Sequence, residues 1–362
     1  GYSRNFGGAG GRFFVDMKQT NRMNKRIHVL GAAAIILGAI LAGLVLSVFL
    51  SNNHRVRASQ TTDLPTVTLI SEMIPTHTTV LPTETMTPSP VVPSAIPTVQ
   101  PTALSAADWK NWPILPERVS TKMIDVYRAG QENGNKANRF SKVGDSNSIM
   151  PSFLGCFDYG ENGYKLGKYT DLEETIKQFQ WSFSRESRAT ANGITAMQLD
   201  TYHWYEDDVC WPYESATSCE YRLWQPSIAF IALGTNDVYM PLAEFDKHMR
   251  SLVQKSIDRY VVPILVTKAD NLEGDGSFNQ AIAQIALDYE VPLWNLWRAM
   301  DPLPGHGLRE NDVHPTFNNT SLCDFSGDDL QTYGWTVRNL TGLQALDRVW
   351  HLLNQGVTSS SQ

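Results

Sequence analysis

The sequence lacks an excess of basic residues. It contains 30 lysines and arginines against 37 aspartates and glutamates, which gives a formal net charge of −7. Without a basic stripe to displace counterions from phosphates, a nucleic-acid partner is excluded. The eight histidines are scattered, and the spacing of the four cysteines fits no zinc motif. The sequence therefore predicts neither a metal nor another cofactor.

The N-terminal third has no tryptophan, since all ten lie at or beyond Trp109. It also lacks charge over residues 29–50, an apolar run long enough to cross a bilayer core of about 30 Å. Basic residues precede this run, so we expect the N-terminus in the cytoplasm and the chain after residue 50 outside the cell. An uncleaved membrane anchor is favoured over a signal peptide cleaved near residues 56–58, because the run exceeds a typical signal peptide's apolar region.

Residues 51–106 are rich in threonine and proline. Such a segment buries too little apolar surface to offset the entropy lost on ordering, so it is predicted to be a disordered stalk. The predicted organisation is a cytoplasmic N-terminus at 1–28, a transmembrane helix at 29–50, the stalk, and one folded extracellular domain at 107–357. The protein is thus predicted to reside in the cell membrane as a single-pass protein.

Strand and helix patterns alternate in the predicted domain. Residues 227–233 are continuously apolar between Pro226 and Gly234, which is typical of a strand buried on both faces. Apolar runs at 261–266 and 291–296 predict further strands, and segments with apolar residues at helical spacing lie between them. This order predicts an α/β fold with a parallel sheet and helices on both faces, with ligands bound beyond the carboxyl ends of the strands.

A turn ends the first predicted strand of this domain. Residues 139–148 begin with strand formers and continue through Gly144 to the turn residues Asp145 and Asn147. The turn presents the hydroxyl of Ser146 just past the strand, beside free backbone N–H groups. Ser146 is therefore a candidate nucleophile, although an ordinary strand-to-loop turn uses the same residues.

Three later stretches could complete a site around Ser146. Asn236 directly follows the buried strand, where its amide could donate to a developing oxyanion. Gly193 lies in a polar loop and could supply a backbone N–H as a second donor. His314 precedes the final predicted helix and could take a proton from Ser146 and return it to a leaving group. Each stretch alone also fits an ordinary turn or surface loop.

Taken in chain order, these four stretches resemble the SGNH hydrolases, also called GDSL-type esterases. The resemblance covers roughly residues 110–356 and not the anchor or the stalk. It implies a flavodoxin-like three-layer fold and serine esterase chemistry. In that chemistry Ser146 is the nucleophile and His314 the general base, while Gly193, Asn236 and the Ser146 N–H form the oxyanion hole.

The sequence departs from the family pattern at two positions. Asn147 stands where the family usually has a hydrophobic residue after the serine. Asn311 stands three residues before His314, where the family has an aspartate that orients the histidine, and Asp312 is one residue closer. Asn311 could accept the imidazole N–H without stabilising its charge, or the loop could shift so that Asp312 takes the role. The sequence leaves both alternatives open.

The four cysteines all follow the predicted membrane segment, so two disulfides in an oxidising compartment are expected, with four free thiols as the alternative. Three pairings are possible. Cys210 with Cys219 would close a short loop. Cys156 and Cys323 are favoured as the second pair because they lie ten and nine residues after Ser146 and His314, which the resemblance requires to meet.

An aromatic cluster lies between Gly193 and the buried strand, formed by Tyr202, Trp204, Tyr205, Trp211 and Tyr213. It could stack on sugar rings or form a small core under a long loop. The prediction is a membrane-anchored extracellular serine esterase whose substrate is a small-molecule, lipid or glycan ester, such as an O-acetylated glycan. The alternative is a non-catalytic cell-surface glycan-binding module on a degenerate hydrolase fold.

Overall fold

The computed structural model describes residues 104–201 and 209–360. No helix within these two ranges is long and apolar enough to span a membrane. The predicted cytoplasmic segment and membrane helix, and the stalk up to residue 103, lie outside the described residues. The described chain begins with a 3₁₀ helix at Ala106–Asn111 and then alternates between helices and strands.

Four strands form one parallel sheet in the order β1-β2-β3-β4. β2 is buried at every residue, as its continuous apolar sequence predicts, because neighbouring strands and helices cover both its edges and its faces. The α/β prediction with a parallel sheet is confirmed for the described residues. The strands are β1 Lys136–Gly144, β2 Pro226–Ala232, β3 Val262–Val266 and β4 Leu293–Trp294.

Eight α-helices surround this sheet in the part of the chain that the structure describes. The first and last helices pack on each other, and the long helices that follow β2 and β3 pack together and on β3. The helices are α1 Thr121–Glu132, α2 Glu173–Gln178, α3 Ala196–Thr201, α4 Ala216–Trp224, α5 Leu242–Asp258, α6 Ser277–Tyr289, α7 Leu296–Met300 and α8 Gly334–Ser360.

Local sequence signals explain where several of these helices begin. The Ser120 side chain accepts a hydrogen bond from the Met123 N–H at 3.2 Å, so it caps α1 as predicted. The amphipathic stripe of α5 buries Phe245, Met249 and Leu252 against the sheet side of the helix. Apolar burial on one face therefore holds these helices in place.

Two element boundaries differ from the prediction. Gly130 does not end α1 but lies inside it, where the Tyr260 carbonyl oxygen approaches so closely that a Cβ would be only 2.5 Å from it. The last strand is shorter than the predicted 291–296, because the Asn295 side chain accepts a hydrogen bond from the Arg298 N–H at 3.2 Å and starts α7. Both differences come from tertiary or capping contacts.

The sheet registers bring the carboxyl ends of the strands to one edge. Gly144 at the end of β1 pairs with Ala232 at the end of β2, and β3 and β4 continue the same alignment. On the other side of β1, Gly144 forms an isolated parallel bridge with Thr190. The chain therefore leaves β1 in one direction and later returns on its other side, and ligands bind at such a switch point in open α/β sheets.

Candidate active site

Ser146 lies at this edge, two residues after the end of β1. The Asp145 carboxylate accepts a hydrogen bond from the Asn147 N–H at 2.9 Å, and the Asp145 carbonyl accepts one from the Ser148 N–H at 2.8 Å. These bonds close a single 3₁₀ turn over Ser146–Ser148. A Cβ on Gly144 would lie 2.6 Å from the Ala232 carbonyl oxygen, so only glycine lets the turn pack this close to β2.

The structure brings Ser146 and His314 into contact across 168 residues of chain. Ser146 Oγ lies 2.9 Å from His314 Nε2. His314 Nδ1 in turn lies 2.6 Å from Asp312 Oδ1, within hydrogen-bond distance. These three side chains, which we call the Ser–His–Asp row, have the connectivity in which a carboxylate orients an imidazole and the imidazole faces a hydroxyl.

Asp312 is held in the row by several donors. Its Oδ1 also accepts hydrogen bonds from the N–H groups of Val313 at 2.7 Å and His314 at 3.0 Å. Its Oδ2 lies 2.6 Å from the Arg309 guanidinium. Partial burial opposes the charge, but the hydrogen bonds from His314 and Val313 hold the pKa of Asp312 below its usual range. The Asp312 carboxylate is thus fixed and ionised at neutral pH.

The loop conformation decides which residue faces the imidazole. Asn311 adopts a left-handed conformation with φ of 53° and is exposed. The loop is closed by a hydrogen bond from the Arg309 N–H to the His314 carbonyl at 3.0 Å and by an antiparallel bridge between Leu308 and Pro315. Asparagine tolerates this backbone conformation well. The turn therefore presents Asp312, not Asn311, to His314.

Asn147 links the serine turn to the histidine loop. Its side-chain amide donates to the Val313 carbonyl at 3.4 Å, and its own carbonyl accepts a hydrogen bond from Arg338 Nε at 3.1 Å. The sequence identified Asn147 only as a departure from the family pattern. Its link to Val313 gives a physical reason for a polar residue here, because a hydrophobic side chain could not donate across the two segments.

Arg338 on α8 is a site residue that the sequence reasoning missed. It is buried among the rings of Phe153, Trp294 and Trp335, with centroids 4.8, 5.5 and 5.9 Å from its guanidinium carbon. Burial lowers the pKa of Arg338 to about 10, although the nearby Asp145 carboxylate opposes this shift. The sequence did contain one signal for a role of Arg338, because it is a charged residue in an otherwise apolar part of the last helix.

The predicted oxyanion donors also come together at this edge. The segment before Gly193 is tied to β1, since the Gly144 N–H donates to the Ala189 carbonyl at 2.9 Å. Asn236 donates from its amide to the Ile194 carbonyl at 3.1 Å, which joins it to the residue after Gly193. Within the described residues, no hydrogen bond engages the backbone N–H of Gly193 or of Ser146.

Asp237 connects the two loops that carry these donors. Its buried carboxylate accepts hydrogen bonds from the Ala196 N–H at 2.8 Å and from the Gly234 N–H at 3.1 Å. Burial raises the pKa of Asp237 to about 6, despite these two bonds. The sequence reasoning treated this residue only as part of a turn, and the structure gives it a bracing role.

Both disulfides pair as the sequence favoured. Cys156 and Cys323 form the long-range disulfide, with a sequence separation of 167 residues, and Cys210 and Cys219 form the short-range disulfide, with a separation of 9. The long-range disulfide joins the segment after Ser146 to the segment after His314. It therefore limits how far the segment that carries Ser146 can move from the segment that carries Asp312 and His314.

The aromatic cluster divides between described and other residues. Tyr202, Trp204 and Tyr205 lie outside the described residues. Trp211 and Tyr213 are described, and their side chains are 60% and 98% exposed. These two aromatics therefore do not form a buried core under a loop.

Solved structures of known proteins resemble this chain at low sequence identity. No protein-family model and no curated protein matches the chain. Solved structures similar to it include a GDSL-like lipase from Bacteroides thetaiotaomicron, 14% identical, covering 63% of this chain and 99% of its own, with a TM-score of 0.37. A psychrotrophic esterase from Pseudoalteromonas is 14% identical over 59% of this chain and 99% of its own, with a TM-score of 0.36.

A third similar structure is an acetylxylan esterase from Geobacillus stearothermophilus. It is 16% identical over 59% of this chain and 95% of its own, with a TM-score of 0.37. Proteins of the GDSL family are thus among the solved structures to which this chain is similar. Identities and TM-scores this low do not decide the reaction, which must be inferred from the geometry of the site.

Proposed function

We propose that this protein is a serine esterase whose nucleophile is Ser146. One observation carries the proposal: Ser146, His314 and Asp312 form a continuous row with contacts of 2.9 and 2.6 Å at the carboxyl edge of the sheet. A structural serine needs neither an imidazole at its hydroxyl nor a carboxylate behind that imidazole. This arrangement matches what activates a hydroxyl for attack on a carbonyl.

The reaction would proceed through an acyl-enzyme. Ser146 Oγ attacks the ester carbonyl carbon while His314 Nε2 takes the hydroxyl proton, and Asp312 stabilises the imidazolium that forms. The tetrahedral intermediate collapses as His314 returns the proton to the leaving alcohol oxygen. Water then attacks the acyl-enzyme, giving its proton to His314, and the acid departs as Ser146 regains its hydrogen. No redox partner is needed for this cycle.

Three donors would hold the developing oxyanion. They are the backbone N–H groups of Ser146 and Gly193 and the second amide hydrogen of Asn236, whose first hydrogen is used on the Ile194 carbonyl. The φ of 70° at Gly193 supports this role, because the left-handed conformation is open to glycine without strain. One such donor typically contributes about 3–4 kcal/mol to the transition state.

We further propose the cellular setting and the broader fold. The uncharged run at 29–50 and the stalk support an esterase domain held outside the cell membrane, and two disulfides fit an oxidising compartment. The parallel sheet with helices around it supports a flavodoxin-like three-layer arrangement. An ester of a glycan, of a lipid or of a small molecule would each satisfy the site.

Hydrolysis of p-nitrophenyl acetate by the purified full-length chain tests the proposal. We expect Ser146→Ala and His314→Ala each to lower kcat/KM by at least about a thousandfold. Ser148→Ala is the matched control, since Ser148 belongs to the same turn but is buried and, among the described residues, its hydroxyl makes no hydrogen bond with His314. Hydrolysis that survives Ser146→Ala would reject Ser146 as the nucleophile.

A further inference from the structure

A second cavity lies away from the Ser–His–Asp row. It has a volume of about 340 Å³, and we call it the distal pocket. Hydroxyl-bearing residues complete its wall, and its principal side chains are Asp200, Trp211, Tyr213, Glu214, Lys255 and Arg259. The esterase mechanism uses none of these residues. The distal pocket therefore needs an explanation of its own.

The position of α5 separates the distal pocket from the proposed active site. α5 begins at Leu242, shortly after Asn236 at the carboxyl edge of the sheet, and runs for 17 residues to Asp258. At 1.5 Å per residue the helix is about 25 Å long. Lys255 lies in its last turn and Arg259 just beyond its end. The pocket wall at Lys255 and Arg259 therefore lies about 20 Å along α5 from the start of that helix. The wall at Asp200 and Thr201 instead lies at the end of α3, which begins at Ala196 beside Asp237.

The Trp211 ring of the distal pocket is held on one face. The Arg222 guanidinium lies 4.0 Å from the centre of the Trp211 ring, yet Trp211 remains 60% exposed, so one face of the indole is covered and the other is open. Glu214 accepts a hydrogen bond from the Trp211 N–H at 3.0 Å and pairs with Arg222 at 2.7 Å. The short-range disulfide closes the same loop.

A ring that is exposed but already held in place can stack on a ligand with little loss of side-chain entropy. Adjacent exposed aromatic side chains form a contiguous apolar patch, and such patches on a protein surface often mark binding sites. Stacking on such a ring gains affinity without first immobilising the side chain. Tyr213, 98% exposed beside Trp211, extends the platform. A flat ligand with an apolar face and polar edges, such as a sugar ring, suits this surface.

The charges of the distal pocket favour an anionic ligand. Asp200 is paired with Lys255 at 2.6 Å, and Glu214 is paired with Arg222, so both carboxylates are compensated. Arg259 is exposed and forms no ion pair with any of the described residues, although its charge also acts on the nearby Glu214 carboxylate. The Arg259 guanidinium therefore keeps its hydrogen-bond donors open to a ligand. A carboxylate is the group that a guanidinium recognises through two parallel hydrogen bonds.

We propose that the distal pocket binds an acidic sugar residue, such as a uronic acid, within an oligosaccharide. The sugar ring stacks on Trp211 and Tyr213, its carboxylate pairs with Arg259, and pocket hydroxyls such as those of Thr201 and Ser215 bond its hydroxyl groups. The inference does not depend on the proposed esterase activity. If both hold, the pocket anchors a polymer whose esters are cut at the separate Ser–His–Asp row.

Calorimetric titration of the full-length Ser146→Ala protein tests the inference. The probes are tri-galacturonic acid and its fully methyl-esterified form, which has the same rings without the negative charges. We expect the acid to bind at least about tenfold more tightly than the ester, because the Arg259 pair is lost in the ester. Equal affinity for the two probes, or binding of neither, would overturn the proposal.

Matched variants assign the binding to this pocket. Trp211→Ala should weaken binding of the acid by about tenfold, and Arg259→Gln should abolish the preference for the acid over the ester. Trp181→Ala is the control, because Trp181 is 67% exposed but does not line the pocket. The Trp181→Ala protein should bind the acid as tightly as the parent protein does. Loss of binding in Trp181→Ala, or none in Trp211→Ala, would contradict the assignment.

The two proposals fail in different ways. Trp211→Ala in the otherwise unchanged protein should hydrolyse p-nitrophenyl acetate at the parent rate, because the contacts of Trp211 are with Arg222 and Glu214 and not with the Ser–His–Asp row. Binding of tri-galacturonic acid is measured without catalysis. A null titration therefore rejects only the distal pocket, and absent hydrolysis rejects only the esterase.

Discussion

Replacing Asp312 with asparagine removes the negative charge beside His314 and keeps the size of the side chain. On our proposal that charge stabilises the imidazolium that forms when Ser146 loses its proton. The remaining amide oxygen can still accept the His314 Nδ1–H, so Asp312→Asn isolates the charge from the orientation. Asp312→Ala removes both.

The structure sets the expected size of the effect. Two unit charges about 4 Å apart interact by about 4 kcal/mol at an effective dielectric of about 20, and by about 1 kcal/mol in bulk water. The Asp312 and His314 side chains are 29% and 34% exposed, which places this pair between the two limits. A loss of about 2–3 kcal/mol corresponds to a fall in kcat/KM of about 30- to 150-fold. Asp312→Ala should cost about a thousandfold or more.

The assay is hydrolysis of p-nitrophenyl acetate across a range of pH, with thermal unfolding to check that each variant folds. The matched control is Asn311→Gly, since glycine adopts the φ of 53° seen at Asn311 but removes the amide. We expect Asn311→Gly to retain kcat/KM within about threefold. Full activity in Asp312→Asn together with a large loss in Asn311→Gly would refute the assignment of Asp312.

Three further predictions follow from the same contacts. Asn147→Leu should lower kcat/KM by less than about fivefold in the ester assay, because the bond it removes to Val313 is long at 3.4 Å; a loss as large as that of Ser146→Ala would contradict this. Replacing both cysteines of the long-range disulfide by alanine should lower the free energy of unfolding in urea by about 5 kcal/mol, against about 3 kcal/mol for the short-range disulfide. A larger loss for the short-range disulfide would be inconsistent with loop-closure entropy as the cause. Because burial raises the pKa of Asp237 to about 6, its carboxyl holds a proton in the native state that the unfolded chain releases, so its contribution to stability falls as pH rises from about 4 to 6. Asp237→Asn should remove that part of the pH dependence in urea unfolding, and an unchanged slope would argue against it.

Much of the fold could be predicted from local pattern alone. The buried strand β2 and the apolar stripes of α5 and α8 were visible in the sequence. A strand buried on both faces gives a continuous apolar run, and a helix buried on one face gives apolar residues at helical spacing. Of the two boundaries that failed, one involves a partner distant in the chain and the other the local cap at Asn295. Gly130 looks like a helix end in isolation, and only the close approach of the Tyr260 carbonyl shows why a glycine stands inside the helix.

The candidate site could be proposed from the sequence, but its internal geometry could not. The resemblance of four stretches in chain order suggested that Ser146 and His314 meet, and they lie 2.9 Å apart. The choice between Asn311 and Asp312 depends on one backbone angle in an irregular loop, which no periodic pattern encodes. Arg338 contacts the serine turn from 191 residues away, so no local signal marked its partner.

Covalent labelling of Ser146 tests the central proposal most directly. The full-length protein would be exposed to a fluorophosphonate, and its intact mass measured beside Ser146→Ala and the Ser148→Ala control. We expect a single adduct on the parent protein and on Ser148→Ala, and none on Ser146→Ala. Absence of an adduct on the parent, or its persistence in Ser146→Ala, would contradict an activated serine at this position.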